Sequence, residues 1–151
     1  MPRAHYTRFK DGLMVNGLPI TLPQTGRVFY VSNNSTGTEF GLTGSDGNDG
    51  KTPEKPLATI DAAINKCSAS RGDVILVMPG HAESVTSSSL TMDIAGVSII
   101  GLGEGDLRPV LSFGVTTLTI TMSAANNTLR NVILKSTVDS VVAGITLSGA
   151  G

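Results

Sequence analysis

The stretch GSDGNDGKTPEKP, residues 44–56, gathers the side chains most able to do chemistry. Asp46, Asn48 and Asp49 offer oxygen ligands of the kind a hard cation takes. An EF-hand-type loop needs Asp or Asn at its first, third and fifth positions and a glutamate at its twelfth. Counted from Asp46, the third is Asn48, the fifth is Gly50 and the twelfth is Leu57, so the spacing fails. Asp46, Asn48 and Asp49 remain weak candidates for a loosely held calcium. The better reading is a turn whose Asx side chains bond their own backbone. A phosphate loop fares no better. Gly50-Lys51-Thr52 matches its end, but the first glycine position is Ser45 and no strand adjoins it.

Other reactive residue types stand apart from one another. His81 and Glu83 form HAE after a Pro-Gly pair, with no second histidine nearby, which makes a poor metal site and predicts a solvated turn. His5 is isolated near the N-terminus. Cys67, the single cysteine, excludes an intrachain disulfide and sits on an apolar face, which favours packing over nucleophilic attack. Ser87, Ser88 and Ser89 lack the G-x-S-x-G elbow. Asp73, Asp93, Glu104, Asp106 and Asp139 are scattered at turns, whereas glycoside cleavage needs two facing carboxylates. Arg108 and Arg130 are the candidate bases for lyase chemistry, each without an evident acidic partner. Phe113 is the only aromatic beyond Phe40, which leaves little for sugar stacking. No catalytic residue and no cofactor site is assigned.

The chain of 151 residues carries a net charge of −1, with 15% charged and 4% aromatic residues and 18 glycines. One β-rich domain with many tight turns is expected. The near-neutral balance gives no basic field for nucleic acid. The N-terminus has no apolar signal region, and no apolar run reaches the ~18 residues a membrane span needs.

Residues 1–27 read differently from the rest. Pro2, Pro19 and Pro23 interrupt apolar residues that follow no steady period. Tyr6, Phe9, Leu13, Met14, Val15, Leu18, Ile20 and Leu22 are too many for a free tail. An extended arm that packs on another surface is expected, with a turn at Asn16-Gly17. RVFYVS at 27–32 predicts a strand. Leu57, Ile60, Ile64 and Cys67 then make one helical face, so a helix over about 59–70 is predicted, N-capped by Thr59 and stopped at Gly72. From Asp73 onward short strands recur: DVILVMPG, GVSIIGLG, PVLSF, TLTITM, NTLRNVILKS and AGITLSG. A repeat near 22–25 residues predicts a solenoid whose coils each give two or three strands.

These residues resemble a known family. DGNDGKTPEKPLATIDAAI, GDVILVMPG, GVSIIGLG and NTLRNVILKS together are similar to the opening of right-handed parallel β-helices of the pectate-lyase-like superfamily. In that superfamily such an opening leads into a capping helix and the first coils. The resemblance covers about residues 28–150 and departs from the family at Ala82, where many relatives carry tyrosine. It implies an all-β, single-stranded right-handed parallel β-helix with an N-terminal capping α-helix, preceded by the arm. The expected division is an attachment arm at 1–27 and a β-helix domain at 28–151, incomplete at its C-terminal end.

The superfold carries lyases, hydrolases and inert virion proteins alike. The arm and the missing catalytic cluster favour a structural virion protein of a tailed bacteriophage. The first expectation is a homotrimeric capsid decoration protein, made in the bacterial cytoplasm and bound to the major capsid protein or another virion protein. Its attachment residues would be Tyr6, Arg8, Phe9, Leu13, Met14, Val15, Leu18, Ile20 and Leu22. A tail-spike or tail-fibre segment is the alternative, and a polysaccharide lyase or glycosidase the third reading. No cofactor, nucleic-acid partner or membrane is expected.

Overall fold

A computed structural model of the chain describes residues 26–33, 43–85, 90–117, 119–139 and 144–148, and the backbone of 13–15 and 18–20. Among these residues the protein is mostly strands in parallel sheets with almost no helix, an all-β chain. Strands β1 (Leu13–Val15) and β2 (Leu18–Ile20) pair antiparallel with Val15 opposite Leu18. That register suits a two-residue Asn-Gly connection. The arm therefore contains an antiparallel strand pair. Tyr6, Arg8, Phe9 and Leu22 lie outside the described residues.

The remaining strands are β3 (Val28–Val31), β4 (Val74–Val77), β5 (Ala82–Val85), β6 (Leu90–Met92), β7 (Ser98–Gly101), β8 (Val110–Phe113), β9 (Ile120–Met122), β10 (Thr128–Arg130), β11 (Ile133–Ser136) and β12 (Ile145–Leu147). They form three parallel sheets, ordered β3-β4-β7-β10, β5-β8-β11 and β6-β9-β12. From β4 onward the chain visits the three sheets in strict rotation. Partners one circuit apart differ by 23 residues at Val110 and Ile133 and by 30 at Ser98 and Thr128. The spacing is longer and less regular than the sequence suggests, because corners of different length separate strands of constant register. Strands β5 and β6 were not anticipated from sequence.

In-register stacking aligns inward side chains in columns. Phe29, Ile75 and Ile99 make one, Val31 and Val77 a second, and Leu90 and Ile120 a third. All are buried, and with Leu111, Phe113 and Met92 they form a single core. Alternation along each strand sends every second residue inward. At the far end the columns run out into solvent. Leu134, Ile145 and Leu147 are 37%, 49% and 76% exposed.

At the near end the loop 43–57 and helix α1 (Ile60–Ile64) close the core. The free edge of β3 is paired by the loop's backbone. Tyr30 N–H donates to Gly50 O at 2.7 Å, Leu57 N–H to Tyr30 O at 2.8 Å, and Ser32 N–H to Leu57 O at 2.8 Å. An unpaired edge would template association with other strands. Leu57, Ile60, Ala63 and Ile64 are buried beneath, and α1 packs against β3, β4 and β6. Gly50 adopts φ +68°, and a Cβ there would lie 2.8 Å from Leu57 Cδ1.

Helix α1 is half the predicted length. Thr59 is its N-cap, accepting from Ala62 N–H. After Ile64 the bonds tighten to i→i−3, and Ser68 N–H turns to the Asp73 carboxylate at 2.8 Å instead of extending the helix. Gly72, with φ +77°, turns a corner instead of stopping the helix. Asp73 is fully buried. Its Oδ1 also accepts Arg27 N–H at 2.7 Å, and Arg71 grips both oxygens in a bidentate pair. Gly26 and Arg27 thus already belong to the stack.

Burial by itself would raise the Asp73 carboxyl. The Arg71 guanidinium and the N–H groups of Arg27 and Ser68 outweigh it and hold it below the ordinary carboxylate range. A carboxyl depressed in the folded state stabilises the fold above its unfolded value near ~3.9, and the gain is lost as pH falls through the folded value. Asp73→Asn should cost about 2–3 kcal/mol at pH 7 and flatten the loss of stability below about pH 4. Denaturant unfolding of both proteins at neutral and acid pH checks this; parallel pH profiles would contradict it.

Candidate functional site

The ligand-like loop is built around Asp46. Its Oδ1 accepts the N–H groups of Ala58 and Thr59 at 2.9 and 3.0 Å, and its Oδ2 accepts the Thr59 hydroxyl at 3.1 Å. Both oxygens therefore pin the chain as it enters α1. Asn48 Nδ2 donates to Pro56 O at 2.8 Å, and Asp49 Oδ1 accepts Lys51 N–H at 3.2 Å. The three residues shape the loop that covers the β3 edge. No group of three or more His, Cys, Asp or Glu residues placed to hold a metal occurs among the described residues.

His81 and Glu83 overturn the expectation of a solvated turn. His81 is 0% exposed and Glu83 only 9%. His81 Nδ1 accepts Asn33 N–H at 2.8 Å, and Nε2 faces Glu83 Oε2 at 3.1 Å. Since Nδ1 is an acceptor, the geometry places the ring proton on Nε2, where it donates to Glu83. Glu83 Oε2 also accepts Ile60 N–H, the first backbone donor of α1, at 3.0 Å. Glu83 points inward in a column whose other members are Leu111 and Leu134. The pair joins the lid, the chain after β3 and the start of β5. A polar residue at an inward position hid this strand from the apolar pattern.

Cys67 follows α1 and is half-buried, its thiol donating to Ala63 O at 3.3 Å. Burial, helped by Asp73 and opposed by Arg71, pushes its pKa up to about 12. A thiol held neutral in this way is no nucleophile.

An open cleft of about 750 Å³ lies on the outer side of β7 and β10. Its lining comes from the end of β7, the corner that follows, and the end of β10: Ile100, Gly101, Gly103, Glu104, Gly105, Arg108, Arg130 and Asn131. The pairing of Arg130 with Ile100 brings Arg130 to the corner that carries Arg108. The short 3₁₀ turn Gly105–Leu107 sets Arg108 in place. Asn131, at φ +55°, donates through Nδ2 to Gly101 O at 2.9 Å and Gly103 O at 3.0 Å. That amide ties the corner of one circuit to the end of the next. A Cβ on Gly101 would fall 2.2 Å from Asn131 O, so the two backbones touch.

Arg108, Arg130 and Glu104 are exposed, and neither arginine makes an ion pair with another described residue. The cleft therefore combines two guanidinium forks, one carboxylate and bare glycine backbone. Among its lining residues Glu104 is the single carboxylate, and Asp106 does not line it. Two-carboxylate glycoside chemistry has no second member here. The sequence singled out both arginines; it did not show that the fold brings them together. Their 22-residue separation, close to one circuit, was the available signal.

Asp46→Ala should lower stability by about 1 kcal/mol through loss of its capping role. The thermal midpoint of each protein should be the same in calcium as in chelator. A calcium-dependent rise confined to the wild type would assign the loop to metal.

No family model, no curated protein and no solved structure matches this chain.

Proposed function

We propose that the three parallel sheets are the faces of a right-handed, single-stranded parallel β-helix, and that the protein is a structural component of a bacteriophage particle. Strict rotation of the chain through the sheets supports the winding, and parallel crossovers are right-handed in nearly all proteins. In this reading the protein is a homotrimeric capsid decoration protein. It attaches to the major capsid protein or another virion protein through residues 1–25.

The observation that carries the reading is the separate pairing of β1 and β2 among the described residues. Strands β1 and β2 pair with each other and with no strand of the three parallel sheets. An apolar segment with its own pairing suits attachment better than it suits the core. The buried carboxylates fit the same reading: Asp73 and Glu83 serve backbone donors and an adjoining side chain, and converge on no open site. A tail-spike segment is the second reading, favoured by the cationic cleft beside β10.

Removal of residues 1–25 leaves Gly26 and Arg27, and with them the Asp73 contact. The truncated protein should fold with unchanged stability and oligomeric state yet fail to co-sediment with phage shells stripped of it. Full decoration by the truncated protein would overturn attachment through the arm. Imaging separates the two readings, by density on shell faces or at the tail.

A further inference from the structure

We propose that the outer face of the sheet β3-β4-β7-β10 is a docking surface for an amphipathic helix of a partner protein. The row Tyr30–Leu76–Ile100 takes the helix's apolar stripe, and the Arg108–Arg130 cleft takes acidic side chains in its last turn. The inference concerns residues of the stack and does not rest on attachment through the arm.

Alternation along β3, β4 and β7 turns Tyr30, Leu76 and Ile100 outward, where each is half-buried. Parallel register aligns them in one row across the sheet, and the next member of that row is Arg130. Val28 and Val74 stand beside the row and widen its apolar surface. The other sheets differ. The second presents Ser84, Ser112 and Lys135 in a row beside Ala82, Val110 and Ile133, and the third presents Thr91, Thr121 and Thr146. Among the described residues, the first sheet alone has large apolar side chains in a row that runs onto a guanidinium. A contiguous apolar patch with a polar rim marks an interaction surface.

Ile100 joins the row to the cleft, because it also lines the cleft with Arg108 and Arg130. The corner from β7 to β8, residues 102–109, is longer than the corners 78–81 and 131–132 of the circuits on either side. It forms a wall of the cleft and carries Arg108. Both guanidinium groups are exposed, and neither makes an ion pair with another described residue. Against the single carboxylate of Glu104 they leave the cleft net cationic. Guanidinium forks take carboxylates through paired, charge-assisted hydrogen bonds. The form of the partner follows from spacing. Row members recur at about 4.8 Å, the separation of paired strands, and side chains on one helix face recur at about 5.4 Å per turn. A helix laid along the row sets one apolar residue from each of three successive turns against Tyr30, Leu76 and Ile100, and its next turn at Arg130. The C-terminal end of a helix carries the negative pole of its dipole, so that end belongs at the arginines. The chain's own arm is a poorer occupant, because Arg3, Arg8 and Lys10 outnumber Asp11 there.

The test uses the full chain and a labelled helical peptide of about 15 residues, with leucines on one face and two glutamates in its last turn, followed by fluorescence anisotropy. The wild-type protein should bind it, and added salt should weaken binding. Leu76→Thr and Arg130→Ala should each weaken binding about tenfold, while Ser84→Ala on the second sheet leaves it unchanged. Arg130→Ala should keep the wild-type melting temperature, because the side chain is exposed. A variant carrying both Arg108→Glu and Arg130→Glu should instead prefer the same peptide with lysines in place of the glutamates. A proline at the centre of the peptide breaks its helix and should abolish binding. The proposal is overturned if the wild-type protein does not bind the peptide, if Leu76→Thr and Arg130→Ala bind as tightly as the wild type, or if the proline peptide binds equally well. A change of oligomeric state in Leu76→Thr, read by sedimentation, would also overturn it, by making the row a contact between copies of this chain.

Discussion

A stack of parallel circuits has two ends, and each end exposes an apolar core and a row of unpaired strand backbone. Closing the first of these ends is the constraint on which the rest of the structure depends. The loop 43–57 meets it twice over. Its backbone pairs the edge of β3 through Gly50 and Leu57, and its side chains with those of α1 cover the core beneath. The acidic and amide residues that look like metal ligands are there to hold this loop in shape. Asp46 fixes the start of the helix, and Asn48 fixes the carbonyl of Pro56.

Two buried carboxylates extend the closure into the stack. Asp73 binds Arg27, Ser68 and Arg71 at the corner where the chain leaves the lid. Glu83 binds the first donor of α1 and the His81 ring, which holds Asn33 in turn. The buried charge of Asp73 is tolerated because each of its oxygens finds donors. Further along, amide side chains take over. Asn127 bridges Val97 N–H and Met92 O, and Asn131 bridges Gly101 and Gly103. Each links corners of successive circuits, so that strands return to the same register although the corners differ in length.

Much of this is legible in the sequence. Apolar runs such as VFYV and VILV mark strands whose inward residues are all hydrophobic. The 3- and 4-residue spacing of Leu57, Ile60 and Ile64 marks the lid. The length of α1 was not legible, because the group that ends it, Asp73, competes for Ser68 N–H from beyond the helix. Strand β5 was missed because Glu83 occupies an inward position, which makes sense only once Ile60 N–H, 23 residues away in sequence, is beside it. The cleft follows the same logic. Arg108 and Arg130 meet only because two circuits stack, and no local pattern encodes that meeting.

The far end contrasts with the first. Among the described residues no backbone bond covers the outer edge of β10, β11 or β12, and Ile145 and Leu147 stand open to solvent. Stability should therefore be graded along the stack, greatest beneath the lid and least at β12. Native-state hydrogen exchange of the full chain tests this most directly. The account predicts the slowest exchange for amides of β3, β4 and β7 and progressively faster exchange through β10 and β11 to β12. Protection of β12 equal to that of β4 would contradict it.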